Sequence, residues 1–330
     1  EHGQVIALGL GCHTSTVSRM KQEDFLRFTR YIVARYACYS VVWISGQEIT
    51  DNSPSATPGY TAFECYLGAS ALIEELDGYG HPNSAHMYPM VIEDERAQRL
   101  DKTEWHDSWT LQGGHCLIQP MDFYRGYYES RITGVIKPFI EAEANYEDIN
   151  CGGFTGYDLN RYSAWNAMLC GSAGFTYGVT GIWANAFSTS GYTGWLGETT
   201  SFSYDPWYMG LDKPGSFEVS YMKDFFTAIG PWYNLIPHFD DSAAATFLRR
   251  GKAALASTED GSLIVAYFYN EKSKSTGTIR VLDPEKTYRI TDFDGLIDVT
   301  ATGARLMEQG ITVTVPEKPY AVVMLINPAE

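Results

Sequence analysis

The chain has 330 residues, of which 45% are hydrophobic and 19% charged, a balance that supports a sizeable core and excludes a disordered chain. Lys+Arg 24 against Asp+Glu 40 gives a net charge of -16, which repels a phosphate backbone or an anionic bilayer and argues against nucleic acid or a membrane as partner. The apolar runs are strand-sized, far short of the roughly 20 residues that span a bilayer. No charged-then-apolar leader opens these residues, and a removed leader leaves no trace, so cytoplasmic and secreted locations both stay open.

In chain order, Val5 to Leu10 reads as a strand and Gln22 to Tyr36 as a helix, with Phe25, Leu26, Phe28, Ile32 and Val33 at helical spacing. Val41 to Ser45 is strand-like, and Thr61 to Leu76 is helical, with Phe63, Leu67, Ala71 and Leu72 on one face. Further strands are predicted at Ala85 to Met90, Ser108 to Leu111, Val135 to Ile140 and Gly174 to Tyr177, with helices at Asp122 to Glu129 and Arg161 to Leu169. Repeated β/α units with non-alternating apolar strands predict an α/β fold around a parallel sheet. No phosphate-binding glycine loop follows any strand, and polar residues collect just after strand ends, which favours a barrel over a doubly wound sheet.

All eight tryptophans lie between Trp43 and Trp232, so the composition changes near residue 235. Beyond it, Ser262 to Tyr269, Gly277 to Val281, Thr287 to Thr291, Ile311 to Val315 and Tyr320 to Ile326 predict a small antiparallel β-sandwich. The expected organisation is therefore a barrel domain over 1–235 and a β-sandwich over 236–330. The sandwich contributes no catalytic group, and Tyr267 and Tyr269 serve packing. The six cysteines lack metal or small-scaffold spacing and read as structural thiols.

Two strand endings carry candidate chemistry. Val41 to Glu48 ends on Gln47 and Glu48, read either as a substrate-holding amide beside an acid/base carboxylate or as a loop brace. Lys137 to Glu147 carries Glu141, Glu143 and Glu147, of which Glu143 is the choice for the strand's C-terminal mouth, with Glu147 in support. A pair of carboxylates on different strand ends matches glycosidic cleavage. A metal alternative drawing on His81, His86, His106, Asp107 and His115 lacks ligand spacing, and no metal or cofactor is expected. A Ser-His-Asp hydrolase lacks its GxSxG elbow. Trp43, Trp105, Trp109, Gln112, His115, Tyr146, Tyr177 and Trp183 are the candidate sugar-binding residues, aromatic faces and polar groups that serve either a ring-stacking cleft or the core.

With these residues in view, the chain resembles the apiosidase-like glycoside hydrolases, a TIM-barrel family. The resemblance is carried by Arg30 to Tyr36 leading into Val42 to Glu48, by Gln112-Gly113-Gly114-His115, and by Lys137-Pro138 through Glu147. It continues through Arg161 to Trp165, Ala173 to Gly178 and Leu211 to Gly215. It implies that Glu48 is the acid/base at the fourth strand, Glu143 the nucleophile at the seventh, a carbohydrate the substrate, and the last hundred residues a β-domain common in such proteins. The chain departs from the family at Glu48, where Asp is usual, and at Val179, where His often follows Tyr-Gly, so apiose itself is not carried over. A non-catalytic carbohydrate-binding or scaffold protein on the same barrel is the alternative. The resemblance also places Val5 to Leu10 as strand three, so a second polypeptide or an N-terminal fragment is expected to complete the barrel; homo-oligomer formation stays open.

Overall fold

The computed structural model describes residues 4–115, 119–130, 134–148, 156–183, 205–240, 245–247, 252–270, 274–314 and 320–329. These fall into two compact units, residues 1–112 with 126–142, and residues 113–125 with 143–330.

The first unit is built on a five-stranded parallel sheet: β1 (Ile6–Gly9), β2 (Val41–Ile44), β3 (Asn83–His86), β4 (Ser108–Leu111) and β5 (Phe139–Glu141). Each strand pairs with the next in sequence, without the reversal of order that marks a doubly wound sheet. Parallel neighbours require crossovers. These carry α1 (His13–Val17), α2 (Gln22–Tyr36), α3 (Ala62–Leu76), α4 (Glu95–Asp101) and α5 (Met121–Glu129) in chain order. Helix α2 buries Phe25, Thr29 and Val33, one per turn, and Phe25 meets Tyr66 of α3 edge-on at 5.4 Å. Helix α3 starts at a capping box, in which the Thr61 N–H donates to Glu64 Oε2 and the Glu64 N–H to Thr61 Oγ1.

The second unit opens with a short parallel pair, β6 (Tyr146–Glu147) and β7 (Gly178–Val179), joined through α6 (Gly156–Leu169). Helices α7 (Thr180–Trp183), α8 (Trp207–Gly210) and α9 (Pro214–Ala228) follow. Then come β8 (Ile236–Pro237), β9 (Ala245–Phe247), β10 (Lys252–Ser257), β11 (Ile264–Asn270), β12 (Lys274–Ile279), β13 (Thr287–Asp292), β14 (Asp298–Thr302), α10 (Gly303–Glu308), β15 (Ile311–Thr314) and β16 (Tyr320–Pro328). Two antiparallel sheets result, ordered β14-β13-β16-β11-β10-β8 and β15-β12-β9. Alternation along β11 divides its side chains between two cores. Ile264, Ala266 and Phe268 join Ile279, Ile311 and Val313 between the sheets, as the sandwich expectation requires. Val265 and Tyr267 face the other way, into a cluster with Tyr162, Trp165 and Leu169 of α6 and Met222, Phe225 and Phe226 of α9.

Three strand predictions need correction. The third strand starts at Asn83, not Ala85, because its polar residues are buried with partners: Asn83 Nδ2 donates to the Ser70 carbonyl, and the Ser84 and Thr110 hydroxyls lie 2.7 Å apart. The strand expected from Val135 is confined to Phe139–Glu141, since Val135 and Ile136 are exposed. Gly174 to Tyr177 is not a strand; the pairing falls on Gly178 and Val179, which join β6, and the parallel sheet of the first unit has five strands among the described residues. In the tail, β8, β9, β10, β14 and α10 were not foreseen. No described helix is long and apolar enough to cross a membrane.

His106 gives the first unit a pH dependence. It is 1% exposed between Trp105 and Trp109, at ring distances of 5.7 and 4.6 Å, and neither ring nitrogen has a hydrogen-bond partner among the described residues. Burial, and then the charge of Lys137, push it down to about 3. A depressed base is neutral when folded and takes up its proton when unfolded, so its contribution is fully present above the unfolded value of about 6.5 and is lost as pH falls toward 3. Denaturant unfolding at pH 7 and pH 5 is expected to show a stability loss about 2 kcal/mol larger in the wild type than in His106→Phe. Equal losses in both would refute the assignment.

Candidate active site

In the first unit, polar side chains converge beyond the C-terminal end of β2. The segment that carries them is tightly held. A Cβ on Gly46 would come 2.3 Å from Tyr66 Cε1, and Ile49 is fully buried. Between these anchors Glu48 takes φ 51°, an unusual backbone for a side chain larger than glycine. Its N–H donates to His86 Nδ1 at 3.2 Å, and its Oε1 accepts from Gln112 Nε2, just past β4, at 3.0 Å. Gln112 itself is 5% exposed. His13, just past β1 and also at positive φ, brings Nε2 to 3.3 Å from Asp51 Oδ2 and 3.9 Å from Glu48 Oε2. Its backbone is fixed on both sides, the N–H donating to the Gln47 carbonyl and the carbonyl accepting from the Tyr66 hydroxyl. His13, Glu48 and Asp51 are all partly exposed to solvent. Gln47 is exposed, while its backbone N–H donates to the Gly11 carbonyl.

In the second unit, Glu143 lies two residues beyond the end of β5 and meets His115, whose Nε2 is 3.2 Å from Glu143 Oε1. His115 Nδ1 is 3.0 Å from the Ala144 carbonyl oxygen, and its ring lies 4.3 Å from that of Tyr146. Tyr146 in turn is 6.1 Å from Trp183, which is 45% exposed. Gly178 lies under Tyr146, where a Cβ would be 2.1 Å from the ring. The carboxylate, the imidazole and the aromatic pair thus form one partly open surface.

Glu147 plays a different part. It is 5% exposed, and one oxygen accepts from both the Tyr177 hydroxyl, at 2.5 Å, and the Gly215 N–H, at 2.9 Å. Burial raises its pKa above the usual carboxylate range, against the lowering effect of those two hydrogen bonds. It ties β6 to the first turn of α9, and Tyr177 is spent on that tie rather than on a ligand.

Three aromatic predictions are corrected by burial. Trp43 is 0% exposed with its indole N–H donated to Asp77, Trp109 is 1% exposed against His106 and Tyr127, and Trp105 is 6% exposed. None offers a face to a sugar; all three are core. The histidines of the metal alternative are dispersed: His81 is on Asp77, His86 on the Glu48 N–H, His106 among tryptophans and His115 on Glu143. Among the described residues no group of three His, Cys, Asp or Glu side chains could hold a metal ion. His13 and Asp51 went unforeseen. The rule that singled out Gln47 and Gln112, a polar residue just past a strand, applies equally to Gly11-Cys12-His13.

Solved structures that share this fold include two glycoside hydrolases. A glycoside hydrolase family 5 protein from Bacteroides vulgatus ATCC 8482 matches with TM-score 0.70 and 16% identity, over 98% of this chain and 70% of that one. A second, described as a glycoside hydrolase, matches with TM-score 0.68 and 17% identity, over 98% and 73%. At these identities the likeness is one of fold. No curated protein matches the chain. The family model of the apiosidase-like catalytic domain matches residues 5–233, which takes in both carboxylate clusters. The chain therefore belongs to the apiosidase-like family and is a glycosidase.

Proposed function

We propose that Glu48 and Glu143 work as a retaining pair on a glycosidic bond in a plant-type oligosaccharide or glycoside. In this reading β1 to β5 are strands three to seven of a (β/α)8 barrel over 1–235, and 236–330 form the companion β-sandwich. One observation carries the assignment: each carboxyl lies just past a parallel strand, is partly exposed, and is met by a nitrogen of a second side chain, Gln112 for Glu48 and His115 for Glu143.

The chemistry runs in two displacements. Glu48 gives its proton to the departing glycosidic oxygen while a Glu143 oxygen bonds the anomeric carbon; the bond pair leaves with the aglycone. Glu48, now a carboxylate, takes a proton from water as the water oxygen attacks the same carbon, and the pair of the C–O ester bond returns to Glu143. Tyr146 and Trp183 supply apolar faces for the sugar ring. His13 and Asp51 offer a donor and an acceptor to its hydroxyls.

Retention requires the two carboxyls to stand about 5 to 5.5 Å apart, against about 6.5 to 9.5 Å for inversion. Proton NMR of the first-formed product from a panel of aryl glycosides tests this. The product anomer is expected to keep the configuration of the substrate. An inverted anomer would sink the retaining assignment.

A further inference from the structure

The environment of His115 constrains where protons lie. Its Nδ1 is 3.0 Å from the Ala144 carbonyl oxygen, an atom that only accepts, so Nδ1 carries a hydrogen. Its Nε2 is 3.2 Å from Glu143 Oε1. With a neutral imidazole and an ionised carboxylate, two lone pairs would face one another across that gap. A proton must sit between them. An imidazole nitrogen is a stronger base than a carboxylate oxygen, and the proton between them therefore belongs to Nε2.

The surroundings agree. Both side chains are partly exposed, so the ion pair escapes the desolvation that penalises buried pairs. The groups described around the imidazole are the Glu143 carboxylate, the Ala144 carbonyl and the Tyr146 ring, whose π face attracts a cation. The loop geometry also keeps the pair together. Gly114 adopts φ 81° and donates its N–H to the Glu143 carbonyl at 3.0 Å, and Gln119 Nε2 donates to the Gly113 carbonyl at 2.8 Å.

We propose that His115 is a positioning residue: an imidazolium that holds Glu143 ionised and orients it, rather than a sugar ligand. This deepens the reading of Glu143 as nucleophile and rests on it for its kinetic consequence. When Glu143 is esterified through its other oxygen, Oε1 becomes the ester carbonyl and still accepts from Nε2–H. When water displaces the ester, the electron pair returning to the carboxylate is stabilised by the same N–H. Breakdown of the glycosyl-enzyme therefore depends on His115 more than its formation does.

The direct test is 15N NMR of the full chain labelled at histidine, with the His115 signals assigned through His115→Gln. At pH 7 the wild type is expected to show both ring nitrogens protonated, and Glu143→Gln is expected to return His115 to the neutral form with hydrogen on Nδ1. A neutral His115 in the wild type at pH 7 overturns the proposal. This readout needs no turnover, so it stands apart from the nucleophile reading, which full activity of Glu143→Gln would sink by itself. Kinetics supply the second arm. With a dinitrophenyl glycoside, His115→Phe is expected to show a pre-steady-state burst and a kcat lowered on the order of tenfold more than kcat/KM, the scale of one charge-assisted hydrogen bond. Parallel losses in kcat and kcat/KM without a burst would mark His115 as merely structural.

Discussion

Replacing Glu48 by Gln is expected to slow hydrolysis of glycosides with poor leaving groups by about 10² to 10⁴, the usual worth of a positioned general acid. The isosteric amide keeps an oxygen for Gln112 Nε2, which now bonds Glu48 Oε1 at 3.0 Å, so the local fold has no reason to change. What disappears is the proton. A dinitrophenyl aglycone departs without one, so the first displacement of such a substrate should survive while the second stalls for want of a base. Azide, a nucleophile that needs no deprotonation, should then restore turnover and give a glycosyl azide of retained configuration. Stopped-flow release of dinitrophenol with and without azide checks this. Equal losses for good and poor leaving groups, with no rescue, would remove Glu48 from the acid/base role.

How much of this was legible in the sequence depended on which physical signal each residue leaves. Helix α2 was readable end to end because Phe25, Leu26, Phe28, Ile32 and Val33 recur at helical spacing between charged residues, and of these Phe25 and Val33 are buried. The register of β3 was not, because Asn83 and Ser84 are polar yet buried, held by hydrogen bonds to Ser70 and Thr110 that arrive from elsewhere in the chain. Glu48 and Glu143 stood out as candidates because a carboxylate following an apolar strand has no use in packing. The aromatic residues misled for the converse reason. Trp43 and Trp109 fill the core as large hydrophobes, and Trp183 is left half-open beside Tyr146, yet composition is blind to that difference. His13 was missed although it stands in the same strand-end position as Gln112. A lone histidine carries no pattern until Asp51 is seen beside it.

Trp165→Ala is expected to cost about 3 to 5 kcal/mol of stability, as loss of a buried aromatic usually does, and to lower activity although Trp165 touches none of the candidate catalytic groups. Trp165 is 4% exposed on α6, stacked on Tyr267 of β11 at 5.8 Å and 16°, and packed against Phe225 and Phe226 of α9 at 5.2 and 5.5 Å. It is the centre of the cluster that joins the C-terminal sheet to these helices. The same helix reaches the segment that carries Glu143: Asn160 Nδ2 donates to the Asn145 carbonyl at 2.9 Å, and Asn145 Nδ2 donates to the Ser163 hydroxyl at 3.0 Å. Asn145 is flanked by Tyr146 and lies two residues from Glu143. A cavity at Trp165 lets α6 shift, and through Asn145 the shift passes to Glu143 and Tyr146, the residues proposed to meet the sugar. Thermal unfolding should therefore show a midpoint lowered by roughly 10 °C, taking about 2 to 4 °C per kcal/mol for a unit of this size. The more conservative Trp165→Phe should lose less stability and recover most of the activity. Full activity in the alanine variant at a temperature where it is folded would show that the sheet-backed helix sets stability alone.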